Sequence, residues 1–128
     1  MREESQEWKS QATLARTVRN IVREEGDPRR VVTEVGFPDW GLSSRGGLLR
    51  FDIYIPQFAI LMDYHGIQHY TEDNPYHRRP GDYQRQREND QLKKDVVPPQ
   101  GLTYLILSYR EEVGDEEWVR RRLEKARQ

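Results

Sequence analysis

The stretch from Leu48 to Tyr70 restricts what this chain can fold into more than any other. Leu48 to Ile55 and Phe58 to Tyr64 are rich in β-branched and aromatic residues, and Pro56-Gln57 interrupts them. The run predicts two antiparallel strands joined by a tight turn. With Ile55 opposite Phe58, alternation puts Leu49, Phe51, Ile53, Ile55, Phe58, Ile60, Met62 and Tyr64 on one apolar face. Arg50, Asp52, Tyr54, Ala59, Leu61, Asp63 and His65 then share the other. In this register Asp52 faces Leu61, and Asp63 is its diagonal neighbour, roughly 7–8 Å away. Any even-length loop keeps the two aspartates on one face, and an odd one separates them.

Two carboxylates on a half-apolar face repel unless a positive group lies between them. A divalent cation meets that need. Oxygen donors in a chain without cysteine favour Mg²⁺ or Mn²⁺ over a structural zinc. The plainer alternative is two solvated positions on an exposed face, with Asp52 held by Arg50 or another arginine.

Around this hairpin the pattern predicts helices and two more strands. Ser5 to Glu25 has helical spacing at Trp8, Ala12, Ala15, Val18, Ile21 and Val22, and Gly26-Asp27-Pro28 ends it. Val31 to Phe37 alternates as a strand, with Val31, Thr33, Val35 and Phe37 on one side. Trp40 in the following loop either caps the core or reaches a nucleic-acid groove. Asp82 is placed to cap a helix reaching about Val97, where Pro98-Pro99 stops it. Arg87, Asp90 and Lys94 share one face of that helix, with Lys93 adjacent. Leu102 to Tyr109 reads as a buried central strand beside the hairpin. Asp115 caps a last helix through Lys125, packed by Trp118, Val119 and Leu123, with Arg120 to Arg122 facing water or DNA.

The order of parts resembles one branch of the PD-(D/E)XK nuclease superfamily, that of very-short-patch repair and EDxHD-type homing endonucleases. Asp63-Tyr64-His65-Gly66-Ile67-Gln68-His69-Tyr70 is similar to the strand end acidic-Tyr-Asp-Gly-x-Gln-His-Tyr of that branch. Arg87-Glu88-Asn89-Asp90-Gln91-Leu92-Lys93 is similar to its Arg-x-x-Asp-x-x-Lys helix, and Leu102 to Tyr109 to its following strand. The resemblance covers Leu48 to Tyr109 and implies an α/β (α+β), restriction-endonuclease-like core: a mixed sheet of about four strands flanked by helices.

It also implies metal-dependent hydrolysis of DNA phosphodiester bonds. Asp52 would hold Mg²⁺ or Mn²⁺, with Asp63 and a first-helix glutamate, best placed at Glu7, completing the ligands. His69 would be the general base, Asp90 would orient it, Lys93 would contact the phosphate and Gln68 would steady the site. Two positions depart from the pattern. Asp63 stands where glutamate is usual, and His65 stands where aspartate is usual and where the superfamily's lysine would fall. His65 is left three readings: that lysine's role, a metal ligand, or neither.

A net charge of -1 argues against binding polyanions through the overall field, so DNA contacts would rest on local clusters. Arg45, Arg50, His65, Arg78, Arg79, Arg87 and Lys94 are the candidates, since arginine forks suit phosphate oxygens. At 128 residues the chain is expected to form one domain, residues 1–128, leaving target recognition to loops, a homodimer or a partner protein. No stretch is apolar for long enough to cross a bilayer and no signal-peptide core is seen, which predicts a cytoplasmic protein. The competing class is a nuclease-fold module that binds nucleic acid or a protein without cutting.

Overall fold

The computed structural model describes residues 2–40, 47–70 and 79–127, with side chains from Lys9 onward, Gln68 excepted. Its elements are α1 (Arg2–Val22), β1 (Val32–Gly36), β2 (Arg50–Ile55), β3 (Ile60–His65), α2 (Asp82–Val96), β4 (Thr103–Ser108) and α3 (Glu116–Ala126), linked in part by short 3-10 turns. The architecture is α+β. One four-stranded mixed sheet runs in the order β1-β2-β3-β4, antiparallel except for the parallel β3–β4 pair.

The hairpin forms with a longer connection than expected. Pro56–Phe58 makes a 3-10 turn closed by Ala59 at φ 56, so Ile55 pairs with Ile60 rather than facing Phe58. The shift is two residues, and Tyr54 now faces Leu61. β3 is buried along its whole length. β4 lies at the sheet edge and pairs with β3 alone, so the expected central position for it is corrected. The intervening α2 returns the chain parallel to β3 and leaves β4 outermost.

Apolar residues divide between two clusters, one on each side of the sheet. Leu14, Val18 and Ile21 of α1 and Val119 and Leu123 of α3 pack on Ile53, Ile55, Ile60, Met62 and Leu107. On the other side, Phe51, Leu61, Leu49 and Val97 join Phe37, Trp40, Leu92 and Tyr104. Phe51 and Ile53, both 1% exposed, therefore belong to opposite clusters despite being two residues apart. Period-two alternation breaks between them, at Asp52. Across the ladder Glu34 has φ 53, and the β1–β2 pairing skips Glu34 and Asp52. A left-handed residue opposite Asp52 bends the strand pair and increases its twist, as bulges do. For the same reason Val31 packs with the first cluster, and Val35 and Phe37 with the second. The single apolar faces expected for β1 and β2 are thus corrected.

At the helix ends, Asp115 accepts the Trp118 N–H as the expected N-cap. α2 instead starts after Gly81 at φ 87, and Asp82 is its first residue, accepting from the Arg79 N–H and from Arg85. Trp118 is exposed, with its indole N–H donating to Glu111, so the packing edge of α3 is Val119 and Leu123. Trp40 stacks on Phe37 with ring centroids 3.9 Å apart, which makes it a core cap. Among the described residues no helix is long and apolar enough to cross a membrane.

Phe51 ties β2 to Trp40, Tyr104 and Phe37 through edge-on ring contacts. Phe51→Ala is expected to lower stability by about 3–5 kcal/mol, read as a fall in the urea midpoint with an unchanged slope.

Candidate active site

The bend at Asp52 opens the β2–β3 ladder, and the two aspartates fill the gap reciprocally. The Asp52 N–H donates to Asp63 Oδ1 at 2.9 Å, and the Tyr64 N–H donates to Asp52 Oδ2 at 2.7 Å. The carboxylates do not share one face. Asp52 lines a cavity of about 260 Å³ whose far wall is Gln11, Ala12 and Ala15 of α1. Asp63 points to the α2 side, where its Oδ2 accepts Lys93 Nζ at 2.7 Å and the Tyr104 hydroxyl at 2.5 Å. The positive group that relieves carboxylate repulsion at Asp63 is therefore Lys93. Its ammonium also lies 4.8 Å from the Phe51 ring centroid.

Beyond Asp63, β3 ends at His65. Gly66 is extended, and Ile67–His69 forms one 3-10 turn that folds His69 back over His65. The two imidazoles stack with centroids 3.8 Å apart and planes 9° from parallel. α2 brings Asp90 against both: its Oδ2 is 3.0 Å from His69 Nδ1 and its Oδ1 3.8 Å from His65 Nε2. A carboxylate only accepts, so His69 Nδ1–H is the donor. Gln86, one turn before Asp90, places its amide nitrogen 3.1 Å from that Nε2. His69, Asp90, Arg87 and Lys94 line a second cavity, of about 210 Å³.

Electrostatics follow from burial. Desolvation pushes His65 down to about 4, and His69 and Lys93 add repulsion that Asp90 and Asp63 only partly offset. Tyr104 is raised well above the usual tyrosine range, by desolvation first and then by Asp63 beside it. It stays protonated and donates. Asp90 and Asp52 add smaller raising effects on the Tyr104 hydroxyl.

Several expected residues are brought together and others are not. His69 pairs with Asp90 and Lys93 with Asp63, two contacts among the residues that the resemblance implies, and Arg87 and Lys94 reach the rim of the His69 cavity. His65 is 4% exposed yet lines the same cavity as His69, so an expected contact with nucleic acid there would be made by a largely buried ring. Arg50 and Arg79 are exposed and do not line that cavity. Arg120, Arg121 and Arg122 are all ion-paired to glutamates, and Arg122 also donates inward to the Ile106 carbonyl. These ion pairs tie α3 to Glu24 of the segment after α1 and to Glu111 before α3. Arg45, Arg78 and the side chains of Glu7 and Gln68 lie outside the described residues.

Two participants escaped the sequence reading. Tyr104 was legible in principle, because alternation along β4 sets it opposite Leu105 and Leu107. Gln86 lies four residues before Asp90 on one helix face.

Asp52 and Asp63 are hard oxygen donors of the kind Mg²⁺ and Mn²⁺ take. Asp52 fits such an ion only in part, because its Oδ2 already accepts the Tyr64 N–H and Arg19 lines the same cavity. Asp63 as arranged fits less well, because both its oxygens already accept protein donors and one donor is a cation. Comparison with protein-family models, with curated proteins and with solved structures gives no match for this chain.

Removing Lys93 strands a buried carboxylate, since the Asp63 side chain is 5% exposed. Lys93→Met is expected to cost about 3–5 kcal/mol, and adding Asp63→Asn should recover much of it in a double-mutant cycle measured by chemical denaturation. Unfolded His65 takes up a proton near pH 6.5, whereas the folded residue does so only near pH 4. Its contribution to stability is whole above pH 6.5 and is lost as the pH falls to 4, by roughly 3 kcal/mol. Denaturation from pH 7 to pH 4 should show a shallower loss in His65→Phe than in wild type.

Proposed function

We propose that this protein is a metal-dependent endonuclease of the PD-(D/E)XK type that hydrolyses DNA phosphodiester bonds, with His69 as general base. The observation that carries this reading is the 3.0 Å pairing of His69 Nδ1–H with Asp90, beside the buried Lys93–Asp63 pair.

Phosphodiester hydrolysis needs a base for the attacking water, charge neutralisation on the phosphate and a correctly held substrate. Asp90 fixes the His69 tautomer, leaves Nε2 as the proton acceptor and stabilises the imidazolium once the proton has moved. Gln86 covers Nε2 in the resting arrangement and is displaced by the attacking water. Lys93, held by Asp63 and by the Phe51 ring, places a fixed positive charge near the reacting phosphate. Arg87 and Lys94 line the same cavity as His69 and hold flanking phosphates. A divalent Mg²⁺ or Mn²⁺ ion held by Asp52 would lie on the α1 side, in a cavity that shares no lining residue with that of His69, and would supply charge neutralisation only from there. Tyr104 keeps the Asp63 carboxylate in place through its hydroxyl.

The competing reading is a nuclease-fold module that binds nucleic acid or a protein partner without cutting. It draws on one feature, the saturation of Asp63 by Lys93, Tyr104 and the Asp52 N–H. Incubation of the protein with supercoiled plasmid and with mismatched and branched DNA, in Mg²⁺ or Mn²⁺, separates the two. Divalent-dependent cleavage is expected, reduced by about 10²-fold or more in His69→Ala and in Asp90→Asn. Equal cleavage by His69→Ala, or binding of DNA with no metal-dependent product, would favour the silent module.

A further inference from the structure

We propose that His65, His69 and Asp90 form a binding site for a divalent transition metal of the zinc class, ligated by His65 Nε2, His69 Nδ1 and an Asp90 oxygen. This site is separate from the Asp52 position and stands whether or not the chain cleaves DNA.

Among the described residues, this is the group of histidine and acidic side chains whose donor atoms converge, all within 4.8 Å of one another. A zinc ion about 2.0–2.2 Å from each donor needs them roughly 3.3 Å apart, so Asp90 must rotate and the two imidazoles, stacked 3.8 Å apart and 9° from parallel, must tilt out of the stack to bring both ring planes through the ion. The three donors come from the end of β3, the turn after it and α2, so the rest of the fold already holds them in place.

Two buried polar atoms point to the missing ligand. His65 Nε2 is buried and has no hydrogen-bond partner, and it faces Asp90 Oδ1 at 3.8 Å. Gln86 Oε1 is likewise buried without a partner. Native structures rarely leave such atoms unsatisfied, and each instance asks for a cause. One ion accounts for both. It takes the His65 Nε2 lone pair directly. Binding at His69 Nδ1 moves the ring proton to Nε2, and a half-turn of the Gln86 amide then sets Oε1 to accept it. A metal-bound imidazole commonly donates its other N–H to such an oxygen.

Donor chemistry selects the ion. Two imidazoles and one carboxylate suit Zn²⁺, Co²⁺ or Ni²⁺, whereas Mg²⁺ prefers an all-oxygen shell. Three protein ligands leave a position open toward the cavity, where Arg87 and Lys94 favour water or an anion as the fourth ligand. Where the cleavage reading also holds, such an ion occupies the Asp90-facing nitrogen of His69 and reverses the tautomer that base catalysis needs. Zinc then opposes Mg²⁺-supported cleavage.

The test is calorimetric titration of the full chain with ZnCl₂ in excess Mg²⁺ and without nucleic acid, alongside titration with Co²⁺ followed by visible absorption. One Zn²⁺ per chain is expected, with Co²⁺ bands typical of a four- or five-coordinate nitrogen and oxygen centre. His65→Phe keeps a flat buried ring and removes the donor, and should weaken Zn²⁺ roughly tenfold or more. Asp90→Asn should do the same, and Gln86→Leu should weaken it by about 10–100-fold. Circular dichroism establishes that each variant is folded, and Asp90→Asn decides the matter if His65→Phe is not. Absence of stoichiometric binding to wild type, or unchanged affinity in the folded variants, would overturn the site. A chain that cleaves no DNA but binds Zn²⁺ at these residues refutes the nuclease reading alone.

Discussion

The buried carboxylate of Asp63 is the joint on which the structure turns. It accepts the Asp52 N–H from β2, Lys93 from α2 and the Tyr104 hydroxyl from β4, while its own backbone belongs to β3. An ionised carboxyl group 3% exposed carries a large desolvation cost unless such donors surround it. Meeting that requirement fixes the rotation of α2 about its own axis. Asp90 lies three residues before Lys93, on the same side of the helix. Once Lys93 is pinned to Asp63, Asp90 is brought against His69, and Arg87 and Lys94 to the rim of the same cavity.

The bend at Asp52 has an equally far-reaching effect. A regular ladder would have put Asp52 and Asp63 on one face, where two negative charges would share one environment. The left-handed backbone at Glu34 breaks the alternation and sends Asp52 to the α1 side. Each carboxylate then captures a backbone N–H freed by the open ladder, so the irregularity leaves no strand donor unpaired at that point. It also moves Phe51 to the α2 side, where its ring supports the Lys93 ammonium.

Much of this was legible before any coordinates. The hairpin, the helix spanning Arg87 to Lys94 and the strand after Pro98-Pro99 follow from periodicity and turn residues, whereas the meeting of His69 with Asp90 was implied only by the family resemblance. Register was wrong by two because Ala59 lengthens the turn from two residues to four, and an even error still keeps local side-chain parity. The face switch was not legible, since nothing in the residue pattern marks Glu34 for a positive φ. Nor could charge clusters be sorted: Arg120 to Arg122 read as facing water or DNA, and only the fold places Glu24, Glu111, Glu116 and Glu117 beside them.

His69 concentrates the chemical ambiguity of the site, and one proton decides it. With hydrogen on Nδ1, the ring donates to Asp90, keeps Nε2 basic and can take a proton from water; with hydrogen on Nε2, it presents Nδ1 to an ion shared with His65. Aspartate at position 65 would supply no second imidazole, and the first state alone would be served. Histidine there adds a neutral, buried nitrogen aimed at the Asp90 carboxylate. Stacked against His69, that ring cannot turn its nitrogen toward solvent without giving up the contact at 3.8 Å. His65, which departs from the pattern this stretch resembles, is thus the residue that completes with His69 and Asp90 the donor set of the proposed metal site.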